Sequence, residues 1–178
     1  LRENMKYFLD AIIPTCEKYD VRMAMHPDDP PRELFGLPRV YKNAEDMRII
    51  ESMHESRYNG FTICTGSLGE NPNNDVPAII REFVKKDRAP FIHARNIEFI
   101  NKEGDFHESD HLSKDGSLDM YEIMKALHDL DYDGYIRPDH GRNIWGENGR
   151  PGYGLYDRAL GITYLNGLWE ALEKGSAK

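Results

Sequence analysis

The segment Phe61–Arg95 reads FTICTGSLGENPNNDVPAIIREFVKKDRAPFIHAR. It contains two short runs of β-branched and aromatic residues, Phe61–Thr65 and Phe91–Arg95, and each run enters a loop marked by Pro, Gly or Asn. Between them, Asp75–Lys86 has the apolar periodicity of an amphipathic helix. A strand, a helix and a strand in this order predict two parallel strands joined by a helical crossover.

The same alternation extends through the rest of the chain. Two further strands are predicted at Val21–His26 and Tyr135–His140. Further helices are predicted over Asn4–Tyr19, Ala44–Arg57, Met120–Leu130 and Leu155–Lys174. The order is one helix followed by four βα units, which predicts an α/β protein with a parallel sheet in a single domain, residues 1–178.

Two architectures fit this order: an open doubly wound sheet and part of a (β/α)₈ TIM barrel. No Gly-x-Gly-x-x-Gly sequence follows a predicted strand, which weakens the dinucleotide-binding form of the open sheet. A complete barrel takes about 250 residues, whereas this chain has 178. Together with the opening helix and the lack of an initial Met, this length predicts that the chain supplies the C-terminal half of a TIM barrel.

Composition and charge exclude several classes of function. The chain has 23 Lys and Arg against 31 Asp and Glu, a formal net charge of −8, so a nucleic-acid partner is not expected. No window approaches the roughly 20 apolar residues of a membrane span, so no membrane partner is expected. Two cysteines do not make a disulfide framework, which favours a reducing, cytoplasmic location.

Metal-capable side chains fall near the carboxyl ends of the four predicted strands. They are His26, Cys64, His93 and Asp139. In a parallel barrel all strand carboxyl ends meet on one face, so two imidazoles, a thiolate and a carboxylate would converge there. This donor set suits Zn, Fe or Mn better than Mg or Ca. Taken singly, each residue is more often an ordinary core residue, but four at corresponding strand ends favour a metal site.

A second histidine motif lies in the long polar segment Asn101–Gly116. Residues His107–His111 read HESDH and match the H-E-x-x-H pattern of zinc proteases. That chemistry needs both histidines on one face of a helix, and no apolar periodicity predicts a helix here. A protease is therefore disfavoured, and a loop His107 near the substrate or a solvated polar turn is the better interpretation.

Several stretches together resemble the mannonate dehydratase family. They are MAMHPDDPPRELFGLPRV at Met23–Val40, Cys64–Gly69, His93–Asn96, Phe106–Leu112, Arg137–Gly141 and Pro151–Tyr153. They occur in the family's order and spacing and span most of the chain. The Pro-rich segment after His26 and the Arg-Pro-Asp-His-Gly segment are the most specific of them.

The resemblance implies a TIM barrel of the xylose isomerase-like type that dehydrates D-mannonate to 2-dehydro-3-deoxy-D-gluconate in hexuronate breakdown. It implies Mn²⁺ or Fe²⁺ as the cofactor, with His26, Cys64, His93 and Asp139 as ligands. It also implies that His140 and Tyr153 are the acid and base, in an order that stays open. Enzymes of this barrel type are often dimeric or larger, so a homo-oligomer is expected.

Other assignments keep alternatives. Arg95 and Arg137 are candidates for binding the substrate carboxylate because Arg makes bidentate pairs, but strand-end ion pairs are an equal alternative. For the whole activity, a metal-dependent sugar isomerase or epimerase on the same barrel type is the nearest alternative. A non-catalytic half-barrel that binds a metal or a partner is the third.

Overall fold

The computed structural model describes residues 1–102 and 104–176. Its strands are β1 (Met23–Met25), β2 (Asn59–Cys64), β3 (Phe91–His93), β4 (Ile97–Phe99), β5 (Phe106–Glu108) and β6 (Tyr135–Arg137). Its α-helices are α1 (Arg2–Tyr19), α2 (Ala44–Met53), α3 (Thr65–Gly69), α4 (Val76–Lys85), α5 (Met120–His128) and α6 (Leu155–Ser176). The predicted alternation of strands and helices is confirmed.

Four of the strands form a parallel sheet in the order β1-β2-β3-β6. Cys64 pairs with His93 across β2 and β3, and His93 pairs with Arg137 across β3 and β6. This register brings the carboxyl ends of the strands to one edge. Among the described strands the order follows the chain without the reversal that a doubly wound sheet requires.

Each of the crossover helices α4 and α5 begins directly after an aspartate that caps it. Asp75 caps α4 by accepting from the backbone N–H of Ala78, and Asp119 caps α5 by accepting from Tyr121 and Glu122. The apolar faces of both helices are buried against the sheet. There Phe83 packs edge-on against Phe61 of β2, with ring centroids 5.3 Å apart. Helices α4 and α5 thus pack against one face of the sheet and leave the carboxyl ends of its strands uncovered.

The strands that carry the site are shorter than predicted. β1 ends at Met25 and β6 at Arg137, so His26 and Asp139 lie in the loops just beyond the sheet. Proline explains both ends, because Pro27 and Pro138 carry no N–H to extend a strand's hydrogen bonds. The predicted strands Val21–His26 and Tyr135–His140 were therefore too long.

The polar segment after β3 is not the plain loop that was predicted. β4 and β5 form an antiparallel hairpin in which Ile97 pairs with Glu108 and Phe99 with Phe106. Strands of three residues are too short to show a periodic pattern, and the same is true of the five-residue helix α3, which was also missed. No helix of the described residues is long and apolar enough to span a membrane.

Candidate metal centre

Four side chains from four separate strand ends meet at the carboxyl edge of the parallel sheet. His26 directly follows β1, Cys64 and His93 end β2 and β3, and Asp139 lies two residues beyond β6. Each offers one ligand atom, and the four atoms all lie within 4.8 Å of one another. Two atoms bound to one ion at roughly 2.0–2.3 Å lie up to about 4.6 Å apart. The spacing of the cluster is therefore close to that around a single metal ion.

His93 shows most directly that the cluster fits a cation. Its ring is buried, and neither ring nitrogen makes a hydrogen bond within the described residues. Nδ1 instead faces Asp139 Oδ1 at 3.2 Å. An imidazole left without hydrogen bonds in the interior is costly unless another group satisfies it. A metal ion would use one of these nitrogens directly.

Asp139 is held in its ionised form. Burial disfavours the charge, but contacts with His93, His140 and Arg137 outweigh burial and hold the pKa of Asp139 well below its usual range. The Arg137 guanidinium lies 2.5 Å from Asp139 Oδ1. A carboxylate that stays deprotonated is ready to bind a cation across the physiological pH range.

Cys64 is fully buried and held for ligation by the turn that follows it. Its Sγ accepts from the Ser67 hydroxyl at 3.1 Å and from the Ser67 backbone N–H at 3.5 Å. It thereby caps the amino end of α3 and lies 3.9 Å from Asp139 Oδ2. These contacts fix the sulfur atom next to the other three candidate ligand atoms.

His26 is the most exposed member of the cluster. Its Nδ1 lies 2.8 Å from the Pro27 carbonyl oxygen, so Nδ1 carries the proton and donates it there. This contact leaves Nε2 free for the cluster. A backbone carbonyl that fixes the tautomer in this way is the usual support of a metal-binding histidine.

His140 and Tyr153, the predicted acid and base, lie beside the cluster. The His140 Nε2 is 3.5 Å from Asp139 Oδ2, and the His140 and Tyr153 rings have centroids 5.8 Å apart. On its other side, His140 Nδ1 is 2.9 Å from Glu108 Oε1. Tyr153 thus lies against the ring of His140, and His140 in turn faces the candidate ligand Asp139.

Two glycines allow Tyr153 to reach this position. Gly141 donates to the Gly152 carbonyl and Gly154 donates to the Gly141 carbonyl, which joins the Tyr153 loop to the segment after β6. A Cβ at Gly154 would lie 1.9 Å from the Arg142 carbonyl oxygen, and one at Gly141 would lie 2.3 Å from the Gly154 oxygen. Only glycine permits backbones to approach this closely.

Arg95, a candidate for the substrate carboxylate, is used inside the protein. It is buried and ion-paired with three carboxylates: Asp29 at 2.7 Å, Glu70 at 3.1 Å and Glu108 at 2.5 Å. Burial disfavours its charge, but Glu108 and Asp29, with a contribution from Cys64, raise the pKa of Arg95 above its usual value. Burial and the neighbouring Asp29 raise the pKa of Glu70 to about 8.

These three acidic residues lie beside the candidate site, and the sequence patterns did not single them out. Glu108 lies inside the His107–His111 motif, and Asp29 lies in the Pro-rich segment after His26. Because the sequence analysis had singled out both of these segments, the positions of Glu108 and Asp29 indicated that they lie near the site. Glu70 had no such signal, because it follows a helix of five residues that has no periodic pattern.

The remaining candidates occupy different positions. Arg137 is half exposed, pairs with Asp139 and stands over the Phe91 ring at 5.9 Å. His107 is exposed and pairs with Glu98 across the hairpin at 2.8 Å, so the structure does not bring it to the cluster. His111 is buried against α6, where a Cβ at Gly161 would lie 2.4 Å from its Nδ1. The two histidines of the motif share no helix face, which agrees with the rejection of a protease.

Comparison with known proteins indicates one and the same family in every case. A family model described as UxuA, D-mannonate dehydratase, matches residues 1–178. A mannonate dehydratase of Lactococcus lactis subsp. lactis (strain IL1403) is 65% identical over 175 residues, which cover 98% of this chain and 49% of that protein. One from Thermotoga neapolitana is 56% identical, covering 98% of this chain and 48% of that protein.

The similarity extends to a solved structure. The crystal structure of mannonate dehydratase from Streptococcus suis serotype 2 matches with a TM-score of 0.93 and 46% identity. The match covers 99% of this chain and 50% of that chain. The chain thus spans about half the length of the relatives that it matches.

Proposed function

This chain belongs to the UxuA family of D-mannonate dehydratases, and we propose that its protein converts D-mannonate to 2-dehydro-3-deoxy-D-gluconate and water. The observation that carries the proposal is the convergence of His26, Cys64, His93 and Asp139 within 4.8 Å beside His140. Membership of the family indicates D-mannonate as the substrate, and the cluster indicates where in the protein the reaction would take place.

His26, Cys64, His93 and Asp139 are the residues that would hold the divalent ion, which we propose is Mn²⁺ or Fe²⁺. When bound, the ion supplies a Lewis acid that stabilises the negative charge developing beside the substrate carboxylate. Two imidazoles, a thiolate and a carboxylate are suitable donors for either ion.

The residues beside the cluster provide the proton transfers. Dehydration removes the proton from C2 and the hydroxyl from C3, the C2 electron pair forms the C2–C3 double bond, and the resulting enol becomes the 2-keto product. One group accepts the C2 proton, and another protonates the departing hydroxyl so that it leaves as water. His140 and Tyr153 fill these two roles, in either order, since the two rings lie beside each other and His140 faces Asp139.

Arg137 is the better candidate for the substrate carboxylate. Its guanidinium is half exposed at the edge of the cluster, whereas the Arg95 guanidinium is already surrounded by three carboxylates. An arginine with accessible N–H groups can bind a carboxylate in a bidentate manner. His107 has no part in the proposal, because its side chain pairs with Glu98 in solvent.

The proposal extends to architecture and assembly. Sequential parallel strands with crossover helices fit half of a (β/α)₈ barrel, and the outer edges of β1 and β6 are where its other strands would pair. The free thiols of Cys16 and Cys64 fit a cytoplasmic enzyme. We also propose that the assembled protein is a homo-oligomer, dimeric or larger.

The test uses the full-length protein with Mn²⁺ and D-mannonate, followed by detection of a 2-keto-3-deoxy acid. Product should form with the metal and disappear after chelation. Cys64→Ser should lose metal and at least about 100-fold of the activity, since loss of even a supporting residue costs 10–100-fold. Cys16→Ser is the matched control, because Cys16 is the other buried cysteine and lies on α1.

Two results would contradict the proposal. An isomerised or epimerised sugar acid in place of the keto acid would favour the isomerase alternative. Metal bound by the full-length protein without any turnover would favour the non-catalytic alternative.

A further inference from the structure

We propose that Glu108 is a positioning residue that orients His140, and that Arg95 holds Glu108 in place for this purpose. The inference rests on the proposed function, in which His140 transfers a proton. Glu108 and Arg95 are not among the four candidate ligands, and the inference gives each of them a role beside the site.

The contact between Glu108 and His140 determines which ring nitrogen faces the cluster. Glu108 Oε1 lies 2.9 Å from His140 Nδ1, and a carboxylate can only accept, so Nδ1 is the donor. The other nitrogen, Nε2, then points toward the cluster, 3.5 Å from Asp139 Oδ2. Without Glu108, the imidazole would be free to rotate and to exchange its tautomer.

Arg95 fixes Glu108 from the opposite side. Its Nε lies 3.1 Å from Glu108 Oε2 and its Nη2 lies 2.5 Å from Oε1, a bidentate geometry that prevents the carboxylate from turning. Asp29 holds the remaining arm, Nη1, at 2.7 Å.

The backbone next to Arg95 leaves room for its side chain. A Cβ at Gly66 would lie 2.4 Å from Arg95 Cδ, so only a glycine leaves room there. The Arg95 backbone N–H also donates to the Thr65 hydroxyl at 2.9 Å. Contacts therefore connect α3 through Arg95 and Glu108 to His140 without a gap.

A second histidine–carboxylate pair on the same hairpin provides a matched control. Glu98 and His107 lie 2.8 Å apart, nearly the distance between Glu108 and His140, but both side chains are more than half exposed. Glu98 lies on β4, opposite His107 of β5, and neither residue contacts Arg95 or the cluster. Glu98→Gln therefore removes a similar charge without affecting His140.

The first experiment measures steady-state kinetics of the full-length, Mn²⁺-loaded protein on D-mannonate. Glu108→Gln should lower kcat by about 10–100-fold, with KM within about three-fold and the metal content unchanged, as expected for loss of a group that supports another. Glu98→Gln should leave kcat within about two-fold of the wild type. A Glu108→Gln protein with wild-type kcat would overturn the inference.

A double-mutant cycle tests whether Glu108 acts through His140. If it does, the variant carrying both Glu108→Gln and His140→Gln should be no slower than His140→Gln alone. Losses that multiply would show that Glu108 acts independently of His140 and would overturn the inference.

A spectroscopic readout separates this inference from the proposed function. In protein loaded with diamagnetic Zn²⁺, the Nδ1 proton of His140 should give an imidazole N–H signal that exchanges slowly with solvent, identified by its absence in His140→Gln. The signal should disappear in Glu108→Ala and remain in Glu98→Gln. Its persistence in Glu108→Ala would overturn the inference, whereas the expected pattern in a protein that does not dehydrate D-mannonate would overturn only the proposed function.

Discussion

The hairpin β4–β5 has two neighbouring side chains on β5 that point to opposite sides. Glu108 points inward and contacts His140 and Arg95, whereas His107 points outward and contacts Glu98. The two histidine–carboxylate distances are 2.9 Å and 2.8 Å, so by length alone the pairs are equivalent. They differ in burial and in what else each carboxylate touches.

The difference shows that the surroundings, more than the contact itself, decide what an ion pair does. The outer pair is exposed to solvent, so the attraction between its two side chains is screened. The inner pair belongs to a group of three acidic side chains around the buried guanidinium of Arg95, where the position of each side chain depends on the others. We therefore expect substitutions on the inner side to have large effects and those on the outer side to have small ones.

The largest effect is expected from Arg95→Met, which removes the guanidinium that pairs with Asp29, Glu70 and Glu108. The variant would leave the carboxylates of Asp29 and Glu108 beside the buried carboxyl group of Glu70 without the guanidinium that pairs with them, so the free energy of unfolding should fall by about 3–5 kcal/mol. Urea denaturation followed by circular dichroism measures the change.

Arg48→Met is the control for this prediction. Arg48 makes the same bidentate pair with Glu82, at 2.8 and 2.6 Å, but on the surface between two helices. Its loss should cost no more than about 1 kcal/mol. Equal losses for the two arginines would mean that burial does not distinguish these ion pairs.

A smaller, pH-dependent effect is expected from Glu70→Gln. Burial and Asp29 raise the pKa of Glu70 from 4.5 to about 8 in the folded protein. Between these values the folded state holds a proton that the unfolded state releases, so this contribution is complete below about pH 4.5 and disappears as the pH rises through 8. Since Gln does not titrate, the variant should gain stability relative to the wild type as the pH rises, by at most about 1.4 kcal/mol per pH unit.

Urea denaturation at several pH values from about 5 to 9 measures this slope. Glu55→Gln, at an exposed position, controls for the loss of a carboxyl group. A constant difference in stability between Glu70→Gln and the wild type across this range would show that Glu70 is ionised in the folded protein.

The smallest effect is expected from His107→Gln, on the outer side of the hairpin. The free energy of unfolding should change by less than about 0.5 kcal/mol, because the pair with Glu98 is exposed. Metal content, measured by elemental analysis, should equal that of the wild type, whereas His93→Gln should lose metal. Loss of metal from His107→Gln would contradict this prediction and would mean that the His107–His111 motif binds the metal.

The sequence predicted the parts of the molecule that have a repeating pattern. Alternating strands and amphipathic helices predicted the parallel sheet, because side-chain periodicity reflects which face of an element is buried. Parallel strands all end at one edge, so the positions of His26, Cys64, His93 and Asp139 along the chain predicted that they would meet. Their role as metal ligands stays a prediction.

The tertiary structure alone decided how the groups around the cluster pair. Arg95 could equally have bound substrate or an internal carboxylate, and the choice depends on loops that place Asp29, Glu70 and Glu108 around it. The hairpin turned Glu108 inward and His107 outward, although the two are adjacent in the chain. Short strands and loops have no periodic pattern, and their contacts join residues far apart in sequence, so only the folded chain determines these partners.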